Sequence, residues 1–179
     1  MAASGARVCV IEGDLRRPRL LEYMGLDGSV GLTNVLIGQA NLSDALQQFA
    51  DAGLVVLGAG PVPPNPSELL GSAAMEKTLR ELESRFDVVI IDAPPLLPVT
   101  DAAVLSTIAG GTVVVVGVGL VNRDHLTRSL QSLDAVNGRV LGLVVNRVPT
   151  KGADAYYYYH GYAPESPRKR AKEREEASS

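Results

Sequence analysis

The sequence predicts a doubly wound α/β fold with a mainly parallel sheet and helices on both faces. The first observation is a series of five apolar segments that are continuous rather than alternating: RVCVIE (7–12), LVVLGA (54–59), DVVIID (87–92), TVVVVGV (112–118) and VLGLVVN (140–146). Such runs are typical of strands that are covered on both faces, as in parallel sheets. The second observation is that segments of helical spacing alternate with these strands, which is the order of a layered α/β domain.

Three segments between the strands have the apolar spacing of helices: LSDALQQFA (42–50), PSELLGSAAMEKTLRELESRF (66–86) and RDHLTRSLQSLDAV (123–136). The second has a start signal, because Asn65 can cap it, Pro66 suits its first position and Glu68 can reach back to the cap. Toward the C-terminus the chain becomes polar and carries mixed charge. We therefore expect one domain over residues 1–149 and a flexible Tyr-rich and charged tail over residues 150–179.

The composition argues against several kinds of partner and location. With 46% hydrophobic residues, 21% charged residues and a net charge of −3, we expect no general affinity for nucleic acid. The longest apolar run, VVVVGVGLV (113–121), is too short for a bilayer span, which takes about 20 residues. The N-terminal MAASGARV does not predict a signal peptide. A single cysteine, Cys9, fits a reducing cytoplasm.

Acidic residues stand at the ends of two predicted strands. Glu12 and Asp14 follow the first strand in VCVIEGDLRRP, and Asp92 ends another in FDVVIIDAPP. Ligands of open α/β sheets bind at the carboxyl ends of strands, where a carboxylate commonly holds Mg²⁺ beside a nucleotide phosphate. The guanidinium groups of Arg16 and Arg17 also suit phosphate oxygens. The alternatives are a carboxylate that caps the next turn and a solvated arginine pair on a loop.

Several segments, taken in order along the chain, resemble motifs of one protein family. VCVIEGDLRRP resembles a Walker A′ motif, FDVVIIDAPPLLPVTDA a Walker B region, and GPVPPNPSELLGS (60–72) a PPNPSELL signature, before VLGLVVNRVP and a tyrosine run. This ordered set, over residues 5–162, resembles the bacterial tyrosine kinases, P-loop proteins of the deviant-Walker ATPase superfamily. The resemblance implies a P-loop NTPase-like fold and a cytoplasmic protein-tyrosine autokinase that regulates capsule and exopolysaccharide synthesis and export.

The same resemblance assigns site residues and cofactors, namely ATP and Mg²⁺. Asp14 and Asp92 match the acids of the family's Mg²⁺ site. Glu12 matches the first Walker A′ acid, which is usually Asp and helps to deprotonate the incoming tyrosine. The extra methylene of Glu12 moves its carboxylate by about a bond length. Asn146 and Arg147 fall where related ATPases contact adenine, and the alternative for these two is a strand end that leads into a loop. Arg16 is expected to contact the nucleotide phosphates.

Five of the six tyrosines lie in ADAYYYYHGYAP (153–164), at Tyr156, Tyr157, Tyr158, Tyr159 and Tyr162. Successive side chains of an extended chain point to opposite sides, so four in a row cannot all face one core. An aromatic patch packed on the domain is the alternative to a segment that enters an active site. With the resemblance, we expect this cluster to accept phosphate from a neighbouring subunit of a ring-type homo-oligomer. A membrane adaptor or an attached transmembrane part is the other implied partner, which would place the protein at the inner face of the membrane.

The phosphate-binding loop of that superfamily has no counterpart in this sequence, because no GxxxxGK[ST] segment occurs in its 179 residues. Without this loop the chain has neither the backbone cradle nor the lysine that holds the β- and γ-phosphates. We therefore expect the chain alone to be inactive. MAASGARVCVIE has the pattern of a helix end, a stop at Gly5 and a strand, which predicts a truncated N-terminus and a missing first strand.

The sequence leaves two other functions open. One is a partitioning or positioning ATPase of the same superfamily, which needs no tyrosine cluster. The other is a non-catalytic regulatory scaffold that only accepts phosphate, which the missing loop favours. In the resembled fold the missing strand lies beside the Walker B strand. Its loss would expose apolar edges, so we expect the isolated chain to be poorly soluble or unstable.

Overall fold

Six strands and seven helices form the part of the chain that the computed structural model describes, which is residue 2 and residues 5–49 and 53–149. The strands are β1 (Val8–Glu12), β2 (Leu46–Phe49), β3 (Leu54–Leu57), β4 (Val88–Asp92), β5 (Thr112–Gly117) and β6 (Val140–Asn146). The helices are α1 (Leu20–Met24), α2 (Leu32–Leu36), α3 (Leu42–Ala45), α4 (Pro66–Leu70), α5 (Ala73–Arg85), α6 (Asp101–Ile108) and α7 (Arg123–Asp134). All five predicted strands are present, whereas the tyrosine cluster lies outside the described residues.

Four of the strands form one sheet in the order β2-β3-β1-β4. β1 pairs in parallel with β3 on one side and with β4 on the other. On β1, Cys9 and Ile11 of one face are fully buried and Val8 of the other face is 3% exposed, as expected for a strand covered on both faces. The α/β prediction is confirmed, and the parallel strands place their carboxyl ends at the same edge of the sheet.

The prediction of a helix over residues 42–50 is wrong in its second half. α3 ends at Ala45, and the next four residues form β2, which pairs antiparallel with β3 so that Leu46 faces Leu57 and Phe49 faces Leu54. The edge of β3 supplies backbone partners that a local apolar pattern does not reveal, and this tertiary pairing overrides the helical spacing. The sheet is therefore mainly parallel with one antiparallel edge strand.

The segment 66–86, which the sequence predicted as one helix, forms two helices, α4 and α5. Pro66 occupies the first position of α4, as predicted. Asn65 makes no capping bond to the backbone, and its amide group instead donates to the Glu68 carboxylate at 2.7 Å. The second helix has its own cap, because the hydroxyl of Ser72 accepts a hydrogen bond from the backbone N–H of Met75 at 3.2 Å. This cap explains the interruption that the apolar spacing did not indicate.

The chain divides into two compact units. The first comprises Met1–Thr112 and Arg123–Leu141 and contains the four-stranded sheet and the seven helices. Its core joins the sheet to the helices through residues that include Cys9, Ile11, Leu32, Leu57, Leu70, Met75, Leu82 and Leu105. Across the described ranges, no helix combines the length and apolar character that a membrane span requires.

The second unit comprises Val113–Asn122 and Gly142–Ser179, of which the structure describes residues up to 149. It contains most of β5 and β6, which form a separate two-stranded sheet. Large apolar side chains of these strands are exposed, among them Val113, Val115, Leu143, Val144 and Val145. The sequence-based boundary between residues 149 and 150 stays a prediction, because residues 150–179 lie outside the described part.

Candidate functional site

The carboxyl ends of β1 and β4 bring three predicted acids to one edge of the sheet. Glu12 and Asp92 are register partners across the two strands. The next backbone N–H, that of Gly13, donates to the Asp92 carbonyl oxygen at 2.7 Å. A Cβ on Gly13 would lie 2.8 Å from a methyl group of Ile91 and 3.0 Å from that same carbonyl. Only glycine therefore lets the loop that carries Asp14 leave β1 this close to β4.

The side chain of Asp92 lies in an electrostatically unfavourable position. Partial burial raises the pKa of its carboxyl group, and the nearby carboxylates of Glu12 and Asp14 raise it further. A group in this position binds its proton more strongly because the charged form loses water and faces like charge. A divalent cation at this edge would offset the repulsion among the three acids.

Asp14 is oriented by the loop that follows it. One oxygen of its carboxylate accepts hydrogen bonds from the backbone N–H groups of Arg16, at 3.1 Å, and Arg17, at 3.0 Å. Leu15, between Asp14 and Arg16, is fully buried and anchors the loop in the core. An aspartate that folds a turn over its own carboxylate in this way has a restricted set of side-chain orientations. The other oxygen points to no hydrogen-bond donor within the described residues.

Glu12 is only 2% exposed, and its carboxylate is already occupied by backbone donors. One oxygen accepts from the N–H groups of Arg19 and of Leu20, the latter at 2.6 Å, and the other accepts from the N–H of Ala59 at 3.2 Å. These bonds join β1 to the start of α1 and to the segment after β3. A cavity of about 270 Å³ opens beside Glu12, between α1 and Gly60. The geometry favours an anchoring role for Glu12, and its predicted role as a base stays a prediction.

Arg16, which the sequence suggested as a phosphate ligand, makes its contacts with protein groups. Its guanidinium donates to both carboxylate oxygens of Asp101, at 2.7 and 3.0 Å, and to the Ser67 hydroxyl oxygen at 3.1 Å. The Ser67 hydroxyl in turn donates to Asp101 at 2.5 Å. Asp101, the first residue of α6, is fully buried. A phosphate contact by Arg16 therefore stays a prediction that competes with this network.

The sequence did not single out Asp101 or Ser67 as site residues. Both lie inside the segments quoted for the family resemblance, Asp101 in the VTDA sequence and Ser67 in PSELL. Each stands in the first turn of a helix, where a polar residue is common for local reasons. The only signal of a further role is their meeting at Arg16, which lies 85 residues from Asp101 and 51 from Ser67 along the chain. No local pattern encodes that meeting.

Asn146 and Arg147 belong to the second unit. Asn146 ends β6, and its side-chain oxygen accepts a hydrogen bond from the backbone N–H of Arg147 at 2.7 Å. Arg147 has φ +58°, in the left-handed region that non-glycine residues seldom occupy. A strained residue after a strand end is compatible with a binding loop, and the predicted contact with adenine stays a prediction.

The donor set at the sheet edge fits Mg²⁺ in one specific way. Within residues 5–49 and 53–149, no three acidic, histidine or cysteine side chains form a group that could hold a metal by themselves. With Glu12 occupied by backbone donors, Asp14 and Asp92 are the carboxylates that remain. Mg²⁺ prefers oxygen donors and is commonly held by one or two carboxylates, with waters and substrate phosphates completing its shell. The two aspartates suit a cation that arrives with a nucleotide.

No protein-family model matches the sequence. Individual proteins do match. The chain is 36% identical over 160 residues to the putative tyrosine-protein kinase CapB of Staphylococcus aureus, covering 89% of this chain and 70% of CapB. The chain belongs to the family of bacterial tyrosine-protein kinases. It is also 35% identical over 158 residues to the tyrosine-protein kinase YwqD of Bacillus subtilis, covering 88% of this chain and 67% of YwqD.

Solved structures of this kinase family have the same fold. The kinase domain of the Escherichia coli tyrosine kinase ETK superposes with a TM-score of 0.81 at 34% identity, covering 85% of this chain and 60% of that structure. The BceF tyrosine kinase domain gives 0.75 at 38% identity, covering 83% and 59%. The cell division ATPase MinD of Pyrococcus furiosus, at 23% identity and a TM-score of 0.68, shares the fold alone. The predicted P-loop NTPase-like fold is confirmed. This chain spans about three fifths of the two kinase structures.

Proposed function

We propose that this chain is the catalytic part of a protein-tyrosine autokinase that uses MgATP. The observation that carries the proposal is the meeting of Asp14 and Asp92 at the carboxyl ends of β1 and β4, together with membership of the tyrosine kinase family. Mg²⁺ would be held between these two carboxylates and the phosphates of ATP, where it neutralises charge on the phosphoryl group being transferred.

The reaction replaces one P–O bond by another. The tyrosine oxygen bonds to the γ-phosphorus of ATP, the bond from that phosphorus to the β–γ bridging oxygen breaks, and ADP leaves with the bond electrons. A phenol has a pKa near 10, so its proton must pass to a base during transfer. The resemblance names Glu12 for that step, although its three backbone donors favour anchoring. We therefore expect the base that accepts the proton to be one of the carboxylates at this edge of the sheet.

The proposed phosphate acceptors are Tyr156, Tyr157, Tyr158, Tyr159 and Tyr162. Each added phosphate would bring about −1.5 to −2 charges at neutral pH. We expect transfer between subunits of a ring-type homo-oligomer, with activation by a membrane-anchored adaptor at the cytoplasmic face of the membrane. Accumulating negative charge would then repel the tail from an acidic site and loosen the ring. Regulation of capsule or exopolysaccharide synthesis is the proposed biological role.

The proposed activity needs a phosphate-binding loop that these 179 residues do not contain. The loop would be recognised as GxxxxGK[ST] encoded upstream of Met1, about 20 residues before Val8, which is the length that such a loop and its helix occupy. The full reading frame should be expressed with MgATP and its tail peptides analysed by mass spectrometry. Phosphotyrosine within residues 156–162 is the expected result. Tyr23, an exposed tyrosine of α1, serves as an internal reference site. A tail without phosphate under these conditions contradicts the proposal.

A second candidate is a non-catalytic scaffold whose tail only accepts phosphate, and the missing GxxxxGK[ST] segment favours it. The two candidates differ in the source of the phosphate. Autophosphorylation of the purified protein supports the kinase, whereas tail phosphorylation that requires a second, added kinase supports the scaffold. ATP hydrolysis without any phosphotyrosine would instead indicate an ATPase of the partitioning or positioning type.

A further inference from the structure

The network around Arg16 joins three parts of the first unit that are far apart in sequence. Arg16 lies in the loop after β1, Ser67 in the first turn of α4, and Asp101 at the start of α6. The Arg16 guanidinium donates two parallel hydrogen bonds to the Asp101 carboxylate, at 2.7 and 3.0 Å. The Ser67 hydroxyl accepts a bond from Arg16 and donates one to Asp101. Paired bonds of this kind fix both direction and distance, which a single bond does not.

Asp101 has a specific need for this partner. Its carboxylate is fully buried, and a buried charge without a counter-charge is strongly unfavourable. Burial acts to raise the pKa of Asp101, but the bonds from Arg16 and Ser67 outweigh it and hold the pKa below its ordinary value. The carboxylate is therefore ionised at neutral pH and keeps Arg16 in place.

The position of Arg16 in the chain gives the network a consequence beyond stability. The backbone N–H groups of Arg16 and Arg17 donate hydrogen bonds to the carboxylate of Asp14. Arg16, whose side chain pairs with Asp101, is therefore also part of the turn that orients Asp14. Asp101 is also the first residue of α6, the helix that follows β4 and the loop after it. Asp92 is the last residue of β4 and leads into that loop. The ion pair thus connects the loop that carries one acid to the segment that follows the other.

We propose that Asp101 and Ser67 are positioning residues, which act through Arg16 to hold Asp14 where it can share one divalent cation with Asp92. The inference rests on the proposed function for its chemistry, and it assigns the Arg16 side chain to the protein framework instead of to phosphate. Neither Asp101 nor Ser67 needs to touch the cation or the nucleotide. A displacement of Asp14 on the order of 1 Å would be enough to impair the reaction, since misplacement of that size can cost about a hundredfold in rate.

The chain offers a matched control at the opposite ends of the same two strands. Arg7, just before β1, donates to the carboxylate of Asp87, just before β4, through its side chain at 2.7 Å and its backbone N–H at 2.8 Å. Asp87→Asn therefore removes an Arg–Asp pair that also joins the two strands but lies at their amino ends. Both partners of this pair are exposed.

The first measurement is cation binding by the full reading frame in the presence of ADP, with Mn²⁺ as a spectroscopic substitute for Mg²⁺ detected by electron paramagnetic resonance. Asp101→Asn and Ser67→Ala should each weaken Mn²⁺ binding about tenfold, whereas Asp87→Asn should leave it within about twofold. Ser67→Thr retains the hydroxyl and should restore binding. Equal binding by wild type, Asp101→Asn and Ser67→Ala would overturn the inference, even if the kinase proposal holds.

The second measurement is autophosphorylation by the full reading frame with varied ATP. Asp101→Asn and Ser67→Ala should lower kcat at least about tenfold while KM for ATP changes less than about threefold, because positioning affects the transition state more than nucleotide binding. A rise in KM alone, largest for Arg16→Lys, would show that Arg16 binds phosphate and would overturn the inference. If wild type is inactive, the kinase proposal fails and the Mn²⁺ measurement still decides the positioning role. If Asp101→Asn does not fold, the Ser67 variants decide it.

Discussion

Glu12 and Asp92 face each other across the last register position of β1 and β4. Glu12 is buried and bonded to three backbone N–H groups, whereas the carboxylate of Asp92 has no donor among the described residues. Two acids at paired positions in the sheet therefore differ in their capacity to bind a cation. Asp92 can still bind a cation through its carboxylate, and Glu12 holds neighbouring segments in position.

We predict that Asp92→Asn lowers tail phosphorylation by the full reading frame at least about a hundredfold, because the amide is a weaker Mg²⁺ ligand and cannot neutralise its charge. Incorporation of phosphate into the tail is the measurement. Asp87→Asn, at the other end of the β4 segment, is the control and should retain activity within about twofold. Wild-type rates in Asp92→Asn would remove Asp92 from the site.

The same substitution should stabilise the fold near neutral pH. The folded-state pKa of Asp92 is raised by partial burial and by Glu12 and Asp14. Its stabilising contribution is therefore full below the unfolded-state pKa and is lost as the pH rises through the folded-state pKa. At pH 7 the ionised group opposes folding, so Asp92→Asn should raise the thermal unfolding midpoint. Added Mg²⁺ should raise the midpoint of wild type more than that of the variant, and an identical response would contradict this account.

Asp101 should have the opposite dependence on pH. Its folded-state pKa is below the ordinary value of 3.8, so its contribution is present above the unfolded-state pKa and is lost as the pH falls through the folded-state pKa. Asp101→Asn should therefore destabilise the chain by about 1–3 kcal/mol at pH 7 and by less in acid. Denaturant unfolding between pH 3 and 7 measures this. If Asp101→Asn lowered the free energy of unfolding equally at every pH, the charge on Asp101 would contribute nothing to stability.

Cys9 should be unreactive in the folded chain. The thiol is fully buried in β1, and burial raises its pKa to about 12. The thiolate is the reactive form, so at pH 8 reaction with an aromatic disulfide reagent should be on the order of a hundredfold slower than in denaturant. The reaction is followed by absorbance. Rapid labelling without denaturant would show that β1 opens readily.

Exposed apolar strand residues should make the chain prone to association. Val113 and Val115 of β5 are 52% and 62% exposed, and Leu143, Val144 and Val145 of β6 are similarly open. Apolar strands that face water offer sites for other chains and for hydrophobic dyes. We expect the isolated chain to bind a naphthalene sulfonate dye and to scatter light, and V113T with V115T should reduce both signals. A monodisperse chain that binds no dye would contradict this expectation.

The sequence alone located the parts of the fold whose signals are local. Continuous apolar runs predicted all five segments that became β1, β3, β4, β5 and β6, because short runs rich in β-branched residues favour strands. The burial that such runs usually indicate holds for β1, whereas β5 and β6 expose large apolar side chains. The acids Glu12, Asp14 and Asp92 were found for a similar reason, since the carboxyl ends of parallel strands always meet at one edge. The family resemblance rested on the same segments, and the relatives confirm it.

Tertiary structure alone decided the features that depend on distant partners. LQQF (46–49) has helical spacing but forms a strand, because the edge of β3 is available to it. Glu12 became an anchor because Arg19, Leu20 and Ala59 direct their N–H groups at it. Arg16 turned to Asp101, 85 residues away, because a buried carboxylate requires a cation more strongly than a loop arginine requires water. Local sequence determines which segments are apolar and which ends are acidic, whereas the partners of each polar group depend on segments that only folding brings together.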